Sequence, residues 1–151
     1  MSAPGAVLVV RAGRRRVALP LEHLIEVVEP EAVLPVPGRE PALRGLTRLR
    51  GRLLPLIHLG ALLDGGPCPE AAGTAAVVIA VGGRRIGLEV EEVEDVLRQA
   101  DPPVPAGEAL PWAAGVARLS SGPIPVLDVA ALGGRLAGEP GGRRAAAGGA
   151  A

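Results

Sequence analysis

The chain has 151 residues, its 16 acidic and 16 basic side chains cancel, and Trp112 is its single aromatic residue. Zero net charge argues against a nucleic-acid binder that acts through bulk charge, and the absence of Phe and Tyr nearly excludes base-stacking platforms. Because 48 % of the residues are hydrophobic, the chain is expected to bury an aliphatic core.

Short strands separated by turns are predicted from the N-terminus onward. The apolar residues alternate from Val17 to Leu21, which indicates a half-buried strand, and residues 11–14 before it form a predicted hairpin turn. After this strand, Leu21, Leu24 and Val28 follow the i, i+3, i+7 spacing of a short helical turn.

A proline-rich extended stretch at 33–37 and a longer apolar strand complete the unit. Pro55 inside that strand predicts a sheet edge or a bulge, because proline cannot donate to the hydrogen-bond ladder. Residues 59–63 then close the unit as a predicted helical turn.

The whole series recurs about seventy residues later. Residues 15–28, RRVALPLEHLIEVV, match residues 84–97, RRIGLEVEEVEDVL, at an offset of 69, and residues 45–62 match 115–132 at an offset of 70. The second copy repeats the hairpin turn, the helical spacing, the strand proline and the closing turn at 81–84, 90–97, Pro125 and 129–136. Two copies indicate a duplicated small domain rather than a solenoid, which needs at least ~3 units.

Short strands at this density predict a mainly β fold of two small barrel-like subdomains. Their boundaries are expected at about 6–64 and 74–136, with residues 64–73 as the joint. Since domains of ~60 residues are marginally stable alone, the two units are expected to share one aliphatic core. The tail, 138–151, has no apolar period and is predicted to be disordered.

The sequence contains few candidates for catalysis. His23 lies beside Glu22 and Glu26, and His58 lies in an apolar strand, but no motif brings the two histidines together. The lone Cys68 cannot form an internal disulfide and has no base near it in sequence. We therefore predict no enzymatic activity, no cofactor and no metal site. A small enzyme that uses His23 or His58 with nearby carboxylates stays as an alternative.

Charge is separated along the chain. Five arginines lie close together, at Arg39, Arg44, Arg48, Arg50 and Arg52. An acidic run lies in the second copy, at Glu89, Glu91, Glu92, Glu94 and Asp95. We interpret the arginines as a protein-binding surface or as internal salt links, and the acidic run as a solvated face. A small SH3-like nucleic-acid-binding module stays as an alternative, and it predicts binding that weakens steeply with salt.

The ordered series of segments resembles the CheW-like domain family. The resemblance rests on EVVEPEAVLPVPGREPALR followed by GLTRLRGRLLPLIHL, and in the second copy on VVIAVGGRRIGLEVEEVEDVL and GVARLSSGPIPVLDVAALG. It covers roughly residues 6–136 and implies two SH3-like five-stranded β-barrels that share a hydrophobic core, with short helices. Members of this family are non-catalytic adaptors of bacterial chemosensory arrays. They couple the cytoplasmic tips of chemoreceptors to the histidine kinase CheA.

The resemblance also implies where the kinase would bind. Glu26 and Val27 match the "EV" pair, which is associated with contact to the regulatory domain of CheA, and we place Arg44 on the rim of that contact. Arg48 and His58 depart from the family pattern, which has Asn and Asp at these positions. These departures leave the choice of kinase and receptor open.

The receptor contact is expected elsewhere. Arg50 and Gly51 match the "LRG" turn, which is associated with receptor coupling, while Val90 and Val93 match positions near the groove that holds the receptor hairpin. A member of this family would be cytoplasmic and recruited to receptor arrays at the inner face of the membrane, without inserting into it. A divergent scaffold of another chemosensory pathway, serving motility or gene regulation, stays as an alternative.

Overall fold

The computed structural model describes residues 5–98, 103–105, 107 and 110–136. The first repeat forms strands β1 (Ala6–Ala12), β2 (Arg15–Pro20), β3 (Leu24–Val28), β4 (Val33–Leu34), β5 (Leu43–Leu49) and β6 (Arg52–His58), then helix α1 (Leu59–Asp64). The second repeat forms β7 (Ala75–Val81), β8 (Arg84–Val90), β9 (Glu92–Arg98), β10 (Ala113–Leu119), β11 (Gly122–Leu127) and helix α2 (Val129–Arg135). The tail predicted to be disordered, 138–151, lies outside the described residues.

The strands form two sheets, which confirms the predicted mainly β fold with short helices. Sheet A has the strand order β10-β11-β2-β1-β9, and sheet B has the order β3-β7-β8-β6-β5-β4. The sixth strand of sheet B is the short β4; in sheet A, Val104 forms only an isolated bridge to Val116.

The two repeats exchange their N-terminal hairpins, so the predicted subdomain boundaries at about 6–64 and 74–136 need correction. The hairpin β1–β2 joins the later strands of the second repeat, and the hairpin β7–β8 joins those of the first. In the first hairpin, β1 pairs antiparallel with β9 and β2 pairs parallel with β11. In the second hairpin, β7 pairs antiparallel with β3 and β8 pairs parallel with β6. Neither sheet can therefore form from one repeat alone.

The main core contains residues of both sheets, as the shared-core prediction requires. Its fully buried members include Val17 and Leu19 from the first hairpin and Ile86 and Leu88 from the second. The side chains are almost entirely aliphatic, and Trp112 packs only at the margin of the cluster. Hydrophobic burial in this core thus holds the two repeats together.

The predicted turns are confirmed, but one helical prediction is partly wrong. Hairpin turns connect β1 to β2 and β7 to β8, and the closing turns of both repeats are the helices α1 and α2. A 3-10 helix covers only Leu21–His23, and Leu24–Val28 is a strand. Its counterpart in the second repeat, 92–98, is also a strand. Valine-rich segments that pair with the hairpin of the other repeat override the local helical spacing.

The strand prolines lie inside the sheets, where their missing N–H groups break no ladder. Pro55 pairs with Leu46 on one side, and parallel pairing to β8 begins one residue later, at Leu56. Pro125 has the same position in β11, because the pairing of that strand with β2 is at Val126. Each proline is therefore the last residue before its strand begins to pair in parallel with the hairpin of the other repeat.

Candidate partner-binding surface

The turn between β5 and β6 has an unusual backbone. Arg50 and Gly51 both have positive φ, 52° and 79°, and Arg50 is the one non-glycine residue with positive φ in the described part of the chain. Two consecutive positive φ angles give the tight hairpin turn that matches the twist of the strands. Arg50 thus has a backbone conformation that is unfavourable for a non-glycine residue. Its side chain, at the tip of the hairpin, is 73 % exposed.

Arg50 forms a bidentate ion pair with Glu26 of β3. Its Nε donates to Oε2 of Glu26 at 3.1 Å and its Nη2 donates to Oε1 at 2.8 Å. The structure therefore joins two residues that the sequence prediction assigned to different partners. The hydrogen bonds from Arg50 hold the pKa of the Glu26 carboxyl below its ordinary value.

Val27 follows Glu26 on an edge strand, so its side chain points to the other face of the strand from the ion pair. Within the described residues β3 has one neighbour, β7, so its other side is unpaired. The Val27 side chain is 42 % exposed, and Ile25 on the same strand is 37 % exposed. An exposed apolar edge strand next to a fixed charge pair has the properties expected of a protein-binding surface.

Two predicted contact residues prove to be engaged within the fold, which corrects their assignment. Val90 is fully buried in the main core, so its side chain cannot touch a partner. Arg44 is 17 % exposed and donates to the buried Glu89 and to the carbonyl oxygens of Pro69 and Ala71. Because its guanidinium is occupied within the fold, Arg44 is not a rim residue.

Val93 differs from Val90 in position. It lies on the edge strand β9, is half-buried, and packs against the main core opposite Val10. The Val93 assignment stays a prediction.

Much of the acidic run pairs within the fold rather than forming a solvated face. Glu89 is 1 % exposed and binds Arg44, and the Glu94 carboxylate binds Arg11 and Arg16. The interpretation of the arginines as internal salt links is confirmed for Arg44 and Arg50. Because the partners lie far apart in sequence, spacing could not reveal these pairs.

His58 occupies a structural position at the start of α1. It is 3 % exposed; its Nδ1 accepts a hydrogen bond from the Ala61 N–H at 3.0 Å, and its Nε2 lies 2.7 Å from Oε2 of Glu91. Both ring nitrogens are therefore engaged within the fold. Nε2 of His23 lies 3.2 Å from Oε2 of Glu22. Within the described residues, no group of three or more His, Cys, Asp or Glu side chains is placed to hold a metal ion.

Sequence reasoning missed one exposed residue that the repeat could have revealed. Val96 is identical to Val27 at the offset of 69 and lies on β9, the edge strand of sheet A. It is 54 % exposed. The internal symmetry thus places one exposed valine on the corresponding edge of each sheet.

The family model for the CheW-like domain matches residues 6–136. The chain belongs to the CheW-like domain family. Among solved structures, this CheW-like domain is similar to the scaffolding protein TtCheW from Thermoanaerobacter tengcongensis. That match has a TM-score of 0.74 at 20 % sequence identity and covers 86 % of this chain and 92 % of that chain. At this identity the structural likeness shows the fold, and the family model shows membership of a family of scaffold proteins.

A search of curated protein sequences finds no match. No helix in the described part of the CheW-like domain is long and apolar enough to cross a membrane.

Replacing Arg50 by Gln is expected to raise the pKa of Glu26. The variant loses the positive charge and the bidentate hydrogen bonds that favour the carboxylate. An NMR titration of the Glu26 carboxyl carbon would measure the shift. The matched control is Arg52→Gln, which changes a nearby exposed arginine, and a pKa of Glu26 that is equal in both variants would contradict the prediction.

Proposed function

We propose that this protein is a non-catalytic adaptor that couples the cytoplasmic tips of chemoreceptors to a CheA-type histidine kinase. The observation that carries the proposal is the exposed edge strand β3, with Val27 at its surface and the Glu26–Arg50 ion pair beside it, in a member of the CheW-like family. On this proposal the protein is cytoplasmic and is recruited to receptor arrays without inserting into the membrane. The receptors could equally belong to a chemosensory pathway that controls motility or gene regulation.

The kinase contact is assigned to β3. Val27 supplies an apolar anchor, and the fixed carboxylate of Glu26 sets the register of the partner. Because Arg50 holds this carboxylate in one geometry, little side-chain entropy is lost when the partner binds.

The receptor contact is assigned to the β5–β6 turn and to Val93. Arg50 and Gly51 form a tight turn with a fixed backbone, which suits a loop that must keep its shape against a helical hairpin. The Arg50–Glu26 pair links this turn to β3 directly. The turn and β3 are therefore neighbours, whereas Val93 lies on β9 in the other sheet.

Substitution of Val27 by Asp tests the kinase contact. We expect the affinity for the isolated CheA regulatory domain to fall about tenfold or more, because a carboxylate replaces the anchor and must be desolvated on binding. Isothermal titration calorimetry of the folded variant measures the effect. The matched control is Leu34→Asp, which alters another exposed apolar side chain on the opposite edge of sheet B.

Binding of a receptor cytoplasmic fragment distinguishes the two surfaces. The Val27→Asp variant should keep its affinity for that fragment while it loses the kinase domain. Unchanged kinase affinity in a folded variant overturns the assignment of Val27. Failure of the unaltered protein to bind either partner overturns the adaptor proposal itself.

A further inference from the structure

Sheet B borders a cavity of about 280 Å³ whose inner part is apolar. The buried lining residues are Thr47, Leu54, Ala76, Val78 and Gly87. The half-buried Val28 and Leu49 also line it, and its exposed charged residues are Glu29, Glu31, Arg48 and Arg50. The cavity therefore has an apolar interior and a rim that carries both signs of charge.

Thr47 is the one polar side chain among the buried lining residues. It is 4 % exposed, and its Oγ1 has no hydrogen-bond partner within the described part of the chain. A buried hydroxyl without a partner loses its hydration without compensation, and native folds seldom leave one so. This oxygen can donate one hydrogen bond and accept two.

The internal repeat shows that this polar position belongs to sheet B. The corresponding residues of sheet A pack as an apolar cluster, and Ala117 stands at the position of Thr47. At three other lining positions sheet B has the smaller residue. The pairs, sheet A first, are Val7 and Ala76, Ala18 and Gly87, and Leu97 and Val28. Compared with sheet A, sheet B therefore has smaller side chains at lining positions on β3, β7 and β8, and it has one additional hydroxyl group.

We propose that this cavity binds a small neutral molecule with an apolar body and one hydrogen-bonding group, which pairs with the Thr47 hydroxyl. A volume of about 280 Å³ lies at the lower end of ligand pockets, so the molecule is of fragment size. The ligand is neutral because the inner walls offer no counter-ion and an unpaired charge is costly to bury. The rim carries two glutamates and two arginines, and Arg50 is already paired with Glu26, so the rim offers no cation cluster for an anion. Binding in this cavity does not depend on the adaptor function.

Benzyl alcohol and toluene are suitable probes, because they share an apolar ring and differ in one hydroxyl group. We expect benzyl alcohol to bind the full chain in the millimolar range and to shift the amide resonances of Thr47, Ala76 and Val78 in 1H–15N NMR spectra. Toluene should bind more weakly. In Thr47→Val, which removes the buried hydroxyl, the preference should reverse in favour of toluene.

A cavity-filling variant tests the location of the site. The double substitution Ala76→Val and Val28→Leu introduces the residues of sheet A and should weaken benzyl alcohol binding about tenfold or more. The matched control, Ala80→Val, changes an exposed alanine on the same strand and should leave the affinity unchanged.

Two results would overturn the proposal. The first is the absence of shifts at these amides up to the solubility limit of benzyl alcohol. The second is an unchanged preference between the two probes in Thr47→Val, which also keeps the test decisive if the double variant fails to fold.

Discussion

Replacing Arg44 by Ala is expected to lower the free energy of unfolding by about 3–5 kcal/mol. Its partner Glu89 has a side chain that is 2 % exposed, and the Arg44 guanidinium is the only cation that contacts this carboxylate among the described residues. The truncation leaves a buried carboxylate with one remaining hydrogen bond, from the Gly73 N–H at 3.0 Å. Urea unfolding followed by circular dichroism would measure the loss.

The same variant should also loosen the joint between the repeats. Arg44 donates to the carbonyl oxygens of Pro69 and Ala71, so it ties the joint to β5. Hydrogen exchange of the amides at 70–73 should therefore be faster in the variant, beyond the effect of global destabilisation.

Two comparisons separate the buried charge from a general effect of losing an arginine. Arg48→Ala removes an exposed arginine from the same strand and should change stability by less than about 0.5 kcal/mol. The double variant Arg44→Met with Glu89→Leu removes both charges and should recover most of the loss. A loss below about 1 kcal/mol in Arg44→Ala would contradict the structural role.

The local parts of the fold could be predicted from the sequence because short-range patterns determine them. Glycines with positive φ fix the hairpin turn between β7 and β8, at Gly82 and Gly83. The repeat predicted two similar units with one core. The hairpin exchange could not be predicted, because it depends on which of two nearly identical sets of strands each hairpin joins. That choice is made by long-range pairing and leaves no periodic signal.

The candidate site also has a part that the sequence could predict and a part that depends on long-range packing. Glu26, Val27, Arg50 and Gly51 lie together at the surface, as motif position alone would suggest for a binding face. Arg44 looked the same in sequence, since an arginine is usually exposed. Its guanidinium is held within the fold by a glutamate 45 residues away. Only the strand order of sheet B, with β6 between β5 and β8, could reveal that pairing.

The contrast between His58 and Asp128 explains a departure from the family pattern. The two residues occupy equivalent positions, and each accepts a hydrogen bond from the backbone N–H three residues on, at the start of α1 or α2. A capping role is therefore common to both repeats. The difference lies in the neighbour, because His58 contacts Glu91, while Glu22, the equivalent of Glu91, is exposed and paired with His23.

Glu91, between β8 and β9, contacts the β1–β2 turn and the start of α1 through its carboxylate. One oxygen accepts from the Gly13 N–H at 2.6 Å, and the other lies 2.7 Å from Nε2 of His58. Burial raises the pKa of Glu91, but these hydrogen bonds outweigh it, so the pKa lies below its ordinary value. Because Nδ1 accepts from the Ala61 N–H, the ring proton lies on Nε2 and is donated to Glu91.

Substitution of His58 by Asp should therefore destabilise the protein although it restores the family residue. The introduced carboxylate can still cap α1, as Asp128 caps α2. It also removes the donor to Glu91 and places two carboxylates next to each other, which we expect to cost about 3 kcal/mol at pH 7. A further Glu91→Gln substitution should recover most of this loss, since the amide is uncharged and its oxygen still accepts from the Gly13 N–H.

Carboxylate repulsion makes the stability loss in His58→Asp depend on pH, whereas a simple loss of packing would not. In the unaltered protein the folded pKa of Glu91 is lowered, so its stabilising contribution is present above the unfolded pKa and is lost as the pH falls. In His58→Asp, one carboxyl of the pair has a raised folded pKa, so its protonation stabilises the fold as the pH falls. The difference in unfolding free energy between the two proteins should narrow from pH 7 to about pH 5. A constant difference over this range would show that carboxylate repulsion is not the cause.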